Sequence, residues 1–240
     1  MKNKIKYIFK QFKFTFKFRE KLEHNFHELT WLERLIYFLI IRWQWTKEKR
    51  FFFEGHLGLP GQMYIAERQA IYETILSHKP KQCFEIGTYT GGGSTFFIAK
   101  AMSHNKEGQL ITMEENPYYY RRASNYYQEK LPRLAPFVNF VLGQSAENLL
   151  NYVDKEEGVG SIFLDGAENE KQTVDQYNIF SPYFKLNTLL ILHDWKTEKT
   201  NSIKPLILAD SSWELQLEIL PPKSVGLAIF KKINISPITK

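Results

Sequence analysis

A chain of 240 residues, 43% hydrophobic and 15% aromatic, can bury one full core but is short for two large domains. Its single cysteine, Cys83, excludes a disulfide framework and a Cys-x-x-Cys metal site, and fits a reducing cytoplasm. The net charge of +6 is unevenly placed: residues 1–50 hold 13 Lys/Arg against 5 Asp/Glu, leaving 19 against 21, so the remainder does not read as a nucleic-acid binder.

Residues 1–58 read as a basic, aromatic-rich helical appendage. In the first twenty, Ile5, Ile8, Phe9, Phe12 and Phe16 share one face of a helix among lysines, although Phe12 to Phe18 also alternate as a strand would. This composition suits a helix lying in a membrane interface, and it lacks the apolar core and cleavage site of a secretory signal. Leu35 to Ile41, between Arg34 and Arg42, is apolar throughout, yet far below the ~20 residues that span a bilayer. Two readings stand for residues 1–50: peripheral contact with the inner face of a membrane, or packing on the rest of the chain or on a second copy in a homodimer.

Pro60 with Gly55, Gly58 and Gly61 marks the boundary to a domain over 59–240. Helical spacing runs from Tyr64 to His78, and Pro80 stops it. An apolar run through Cys83 and Ile86 then ends in Glu85-Ile86-Gly87-Thr88-Tyr89-Thr90-Gly91-Gly92-Gly93-Ser94, a strand, a tight turn and the start of a helix to about 104. Glycines there let the backbone turn with positive φ or approach a ligand closely, and a helix N-terminus offers free N–H groups. The spacing is Glu85-x-Gly87-x-x-x-Gly91, not the G-x-G-x-x-G of dinucleotide folds, and an acid two residues before the first glycine suits a ligand with an ammonium group.

Residues 109–114 form a second strand, Asn116 and Pro117 start a helix to about 131, and Val138 to Leu142 is a third strand. Ser145 caps a short helix to about 153. Gly160 to Asp165 is a fourth strand, a helix runs from about 170 to 184, and Thr188 to Asp194 is a fifth strand. Trp213 to Leu220 and Val225 to Lys231 are separated by only four residues and can pair only antiparallel. The expected fold is therefore α/β: a doubly wound, mostly parallel, seven-stranded Rossmann-like sheet that ends in an antiparallel hairpin.

In such a sheet, ligands bind beyond the carboxyl ends of the strands. Glu85, Glu114, Gly143 to Ser145, Asp165 and His193-Asp194 occupy five consecutive strand ends. Glu114 can accept both hydroxyls of a ribose, and the turn with Ser145 is the candidate for an adenine edge. His193 is a natural general base for a hydroxyl.

Gly61-Gln62-Met63, Glu85 to Gly91, Leu110 to Pro117, Val138 to Ser145, Phe163-Leu164-Asp165 and Leu190 to Asp194 resemble, in order and spacing, class I S-adenosylmethionine-dependent methyltransferases, in particular catechol-type enzymes and relatives that methylate sugar hydroxyls. The resemblance covers about residues 60–195. It implies that Met63, Glu85, Gly87, Gly91, Gly93, Ser94, Glu114, Ser145 and Asp165 hold S-adenosyl-L-methionine. It also implies that Asp165 and Asp194 bind a divalent cation such as Mg²⁺, and that the acceptor is a small molecule or sugar. The catechol enzymes carry an asparagine ligand where Trp195 stands, and a lysine base where Glu168 stands. The pattern Asp165-Gly166 with His193-Asp194-Trp195 looks more like the relatives acting on sugars. The competing reading is a non-catalytic protein that keeps the fold and docks a membrane or partner through its N-terminus.

Overall fold

The computed structural model describes residues 30–36, 59, 63–220 and 224–234. Most of the appendage, and the Gly55 to Gln62 boundary apart from Leu59, lie outside them. Of the appendage, a six-residue helix, α1 (Trp31–Ile36), is described. The remaining elements are α2 (Ile65–His78), β1 (Gln82–Ile86), α3 (Ser94–Asn105), β2 (Gln109–Glu114), α4 (Pro117–Lys130), β3 (Val138–Leu142), β4 (Val159–Leu164), α5 (Glu170–Phe180), β5 (Phe184–His193), α6 (Ile203–Ala209), β6 (Trp213–Ile219) and β7 (Leu227–Lys232).

The seven strands form one sheet in the order β3-β2-β1-β4-β5-β7-β6. The first five run parallel, and β7 is antiparallel to both β5 and β6. Because successive side chains of a strand face opposite sides, each central strand feeds two cores. Cys83, Leu110, Phe163 and Ile191 pack under α2 and α3, whereas Phe84, Ile111, Ile162 and Leu190 pack with Phe180 of α5 and Ile203 and Ile207 of α6. Burial on both faces is why these strands read as continuous apolar runs.

Boundaries differ from expectation in three places. The helix expected to reach 184 ends at Phe180, because Pro182 sits in a short 3₁₀ turn over Ser181–Tyr183 and β5 then begins at Phe184. That strand is interrupted before it settles: Asn187 has φ +70°, and the register with β4 shifts between Val159 and Ser161. The segment after Ser145 is a 3₁₀ helix, Ala146–Tyr152, capped by the Ser145 hydroxyl. Helix α6 carries no clear sequence signal, as its seven residues span fewer than two full helical turns and contain Pro205.

Candidate active site

The ends of β1 and β4 meet backbone to backbone. Gly87 has φ +101°, and a Cβ on it would lie 2.9 Å from the amide nitrogen of Gly166, while a Cβ on Gly166 would lie 2.7 Å from Ile86 Cγ2. Asp165 N also donates to Ile86 O at 3.1 Å. This close approach leaves Glu85 and Asp165 at adjacent strand ends, on the face that carries α2 and α3. Gly91 serves a different contact: its carbonyl accepts from the Tyr127 hydroxyl at 2.8 Å, and a Cβ there would press on the Tyr127 ring at 3.1 Å. The turn is thereby clamped to α4, and Gly93 caps α3, whose first N–H groups lack partners within the helix.

Glu85 lies fully buried beneath this turn. Its Oε2 accepts from Thr95 Oγ1 at 2.6 Å and from Thr112 Oγ1 at 2.5 Å, while Oε1 has no hydrogen-bond partner among the described residues. Burial pushes its pKa up to about 7 against the pull of the neighbouring hydroxyls of Ser94, Thr112 and Thr95. Ser94 is itself buried at the start of α3. Glu114, one strand over, uses both oxygens: Oε2 accepts from Tyr89 N at 2.7 Å and Oε1 from Asn116 N at 2.9 Å. It thus ties the glycine turn to the start of α4, and each oxygen keeps a second lone pair. Ser145 is exposed at the end of β3, and Met63 is buried just before α2.

On the same face, Asp165 and His193 follow on neighbouring strands in the register Phe163↔Ile191 and Leu164↔Leu192. His193 Nδ1 lies 3.0 Å from Asp165 Oδ1 and 3.8 Å from Asp194 Oδ1, and its Nε2 lies 3.6 Å from Glu67 Oε2. Glu67 is fully buried in the first turn of α2, where Oε2 caps Tyr64 N at 2.9 Å and Oε1 accepts from Ser224. Burial by itself lowers the His193 pKa, but the Asp165 and Glu67 carboxylates outweigh it and hold the imidazole well above 6.5. Glu67 is in turn held below the usual carboxylate range, burial being outweighed by His193, Ser224 and the Tyr64 amide.

Asp194 adopts φ +56°, and its carbonyl accepts from Thr197 N at 2.8 Å, Thr197 Oγ1 at 3.0 Å and Thr200 Oγ1 at 3.2 Å. The chain after β5 therefore folds back on Asp194 and delivers Lys199, whose Nζ lies 2.7 Å from Asp194 Oδ2. A cavity of about 540 Å³ opens beside this pair and is also lined by Glu168, Asn169, Glu170, Thr197, Glu198 and Asn201.

Residues 84–195, which span this sheet from β1 to the turn after β5, match a family described as a methyltransferase domain. Solved structures share the fold of this chain. The O-methyltransferase of tomaymycin synthesis from Streptomyces achromogenes, in complex with SAM, is 14% identical with a TM-score of 0.59, over 86% of this chain and 100% of that one. An O-methyltransferase from Bacillus cereus in complex with SAH is 15% identical, TM-score 0.59, over 85% and 97%. A SAH-bound methyltransferase from Podospora anserina is 16% identical, TM-score 0.54, over 72% and 80%. No curated protein matches the chain.

The parallel strands bring all five expected strand ends to one edge of the sheet. His193, expected as a general base, has Nδ1 3.0 Å from Asp165 Oδ1 and Nε2 3.6 Å from Glu67 Oε2, and against the effect of burial these carboxylates raise its pKa. The cation site expected at Asp165 and Asp194 has donor atoms, with His193, within 4.8 Å of one another. One oxygen of each carboxylate is already engaged, Asp165 Oδ1 with His193 Nδ1 and Asp194 Oδ2 with Lys199 Nζ. The next residue offers no oxygen, because Trp195 is buried and its Nε1 donates to Glu218 Oε1 at 2.5 Å. The donor set does not fit a hard cation that prefers oxygen ligands.

Sequence reasoning missed Glu67, Lys199 and Ser224. A glutamate in the first turn of a helix reads as a favourable charge at the dipole, and nothing in the sequence says that this turn is buried against β5.

Proposed function

We propose that the chain is an S-adenosylmethionine-dependent methyltransferase that transfers a methyl group to a hydroxyl oxygen of a small, polar, sugar-like molecule. The observation that carries this reading is Glu85 Oε1, a buried carboxylate oxygen without a partner among the described residues, under a glycine turn, with Glu114 at the next strand end. The unpartnered oxygen suits the cofactor's ammonium group, the α3 N-terminus its carboxylate, and the remaining lone pairs of Glu114 the ribose hydroxyls. When bound, S-adenosylmethionine supplies an electrophilic methyl group.

The acceptor hydroxyl must shed its proton as its oxygen forms the new bond to carbon, and in this reading Asp165 and Asp194 take it. His193 holds Asp165 in orientation from one side and is itself held by Glu67 from the other. Positioning of this kind accounts for much of the rate in a group transfer. Among the described residues, the cavity beside Asp194 is lined by carboxylates, amides, a hydroxyl and the Lys199 ammonium, with no aromatic ring, which suits a hydroxyl-rich acceptor better than a flat catechol.

Residues 1–50 dock the domain reversibly on an anionic membrane surface in this reading. Their net charge supports it, as does the exposure of Trp31, Leu32 and Leu35 on α1, and among the described residues no helix is long and apolar enough to cross a membrane. Flotation with anionic and neutral vesicles tests this: binding to neither removes it.

Calorimetry tests the central reading. S-adenosylhomocysteine is expected to bind with one site per chain and NAD not at all; equal or tighter binding of NAD sinks the assignment.

A further inference from the structure

We propose that Lys199 takes the place of a divalent cation at the acceptor site, so that the carboxylate pair Asp165 and Asp194 is balanced from within the chain. This rests on the methyltransferase reading above and adds to it how the acceptor oxygen meets positive charge.

Three carboxylates converge here, Glu67, Asp165 and Asp194, and two cationic side chains reach into them. Lys199 Nζ is 2.7 Å from Asp194 Oδ2, a charge-assisted contact of ordinary length. His193 turns Nδ1 to Asp165 Oδ1 at 3.0 Å, and its Nε2 lies 3.6 Å from Glu67 Oε2, so each ring nitrogen already faces a carboxylate. Lys199 is partly exposed, but the turn that carries it is fixed. The Asp194 carbonyl collects Thr197 N, Thr197 Oγ1 and Thr200 Oγ1, and these bonds fix the turn that carries Lys199 back over Asp194.

The position that would complete an ion's oxygen shell is also closed. Trp195 packs against Phe230, lies under Lys204 Nζ at 5.0 Å from its ring centroid, and directs its indole N–H to Glu218. An ion at Asp194 would have to displace an ammonium and gain no third carboxamide or carboxylate from that position. Lys199 meanwhile borders both the small recess with Asp165 and His193 and the larger cavity beside it. An acceptor oxygen in that cavity would meet the ammonium where a metal-dependent enzyme offers an ion.

Manganous ion is the probe, titrated into the full chain and followed by the loss of its free-ion paramagnetic resonance signal. The wild type is expected to leave the signal unchanged at ~0.1 mM ion, a concentration that fills oxygen-ligand sites of sensor affinity. K199M frees Asp194 and is expected to bind at least about tenfold more tightly than the wild type, the scale of removing one unit charge at contact distance, whereas K199R should still exclude the ion. One ion bound by the wild type below ~0.1 mM and lost in D165N overturns the proposal. So does equal ion affinity of wild type and K199M. The titration does not depend on the cofactor: absence of S-adenosylhomocysteine binding to the same samples would count against the methyltransferase reading and leave the ion result standing.

Discussion

His193 Nδ1 lies 3.0 Å from Asp165 Oδ1 while its opposite nitrogen faces Glu67 Oε2 at 3.6 Å, so a nearly buried imidazole is suspended between carboxylates from the end of β4 and from α2. A buried cation between anions is stabilised in its charged form only while both partners remain. In the proposed reading, His193 orients the carboxylates that take the acceptor's proton. Its pKa is raised in the folded chain, so its contribution to stability is complete below about 6.5 and is lost only as pH rises through the folded value. Nitrogen-resolved magnetic resonance should find His193 protonated at pH 7 in the wild type, with E67Q moving its titration towards 6.5. A wild-type imidazole that titrates near 6.5 contradicts this arrangement.

Glu85 has the opposite sign. Its carboxyl holds a proton up to about pH 7 in the folded chain, while an unfolded glutamate releases it near 4.5. Between those values the folded state binds more protons, so stability should fall as pH rises from about 4.5 to 7 and level off above, by about 3 kcal/mol at most. Denaturant unfolding of the cofactor-free protein across this range checks it. E85Q should flatten that part of the profile; an unchanged slope would assign it to another group.

The close contact of β1 and β4 admits no side chain. Gly87→Ala places a Cβ 2.9 Å from the Gly166 nitrogen at a φ of +101°, and both strand ends are backbone there, unable to yield as a flexible side chain would. A loss of at least about 1–3 kcal/mol in unfolding free energy is expected, the cost of overpacking with left-handed strain added. A variant as stable as wild type would mean that the strand ends can part.

Glu114 accepts one backbone N–H on each oxygen. In E114Q one of these amides must face an NH₂ group, and one ribose acceptor is lost. Affinity for S-adenosylhomocysteine should weaken by about 1.5–3 kcal/mol, the range for hydrogen bonds to a charged group. Unchanged affinity would place the ribose elsewhere.

Much of the fold was legible in the sequence where the signal is local. Gly87 with Glu85, Asn116 with Pro117, and the brief link between Trp213 and Lys231 each encode a turn, a cap or a pairing within a few residues, and the sheet follows from them. The strand-end acids could be named for the same reason. What escaped depends on contacts distant along the chain: Glu67 of α2 meets His193 at the far end of β5 and Ser224 across 157 positions, and no periodicity records that. Lys199 escaped differently, since its turn is built on hydrogen bonds to the Asp194 carbonyl and leaves no apolar pattern.

The most direct measurement is a crystal structure of the full chain grown with S-adenosylhomocysteine. The ribose hydroxyls are expected on Glu114, the homocysteine ammonium over Glu85 and the glycine turn, and the sulfur directed towards Asp165 and Asp194. A ligand seated away from the β1 and β2 ends, or a sulfur facing away from that aspartate pair, would contradict the proposed methyl transfer.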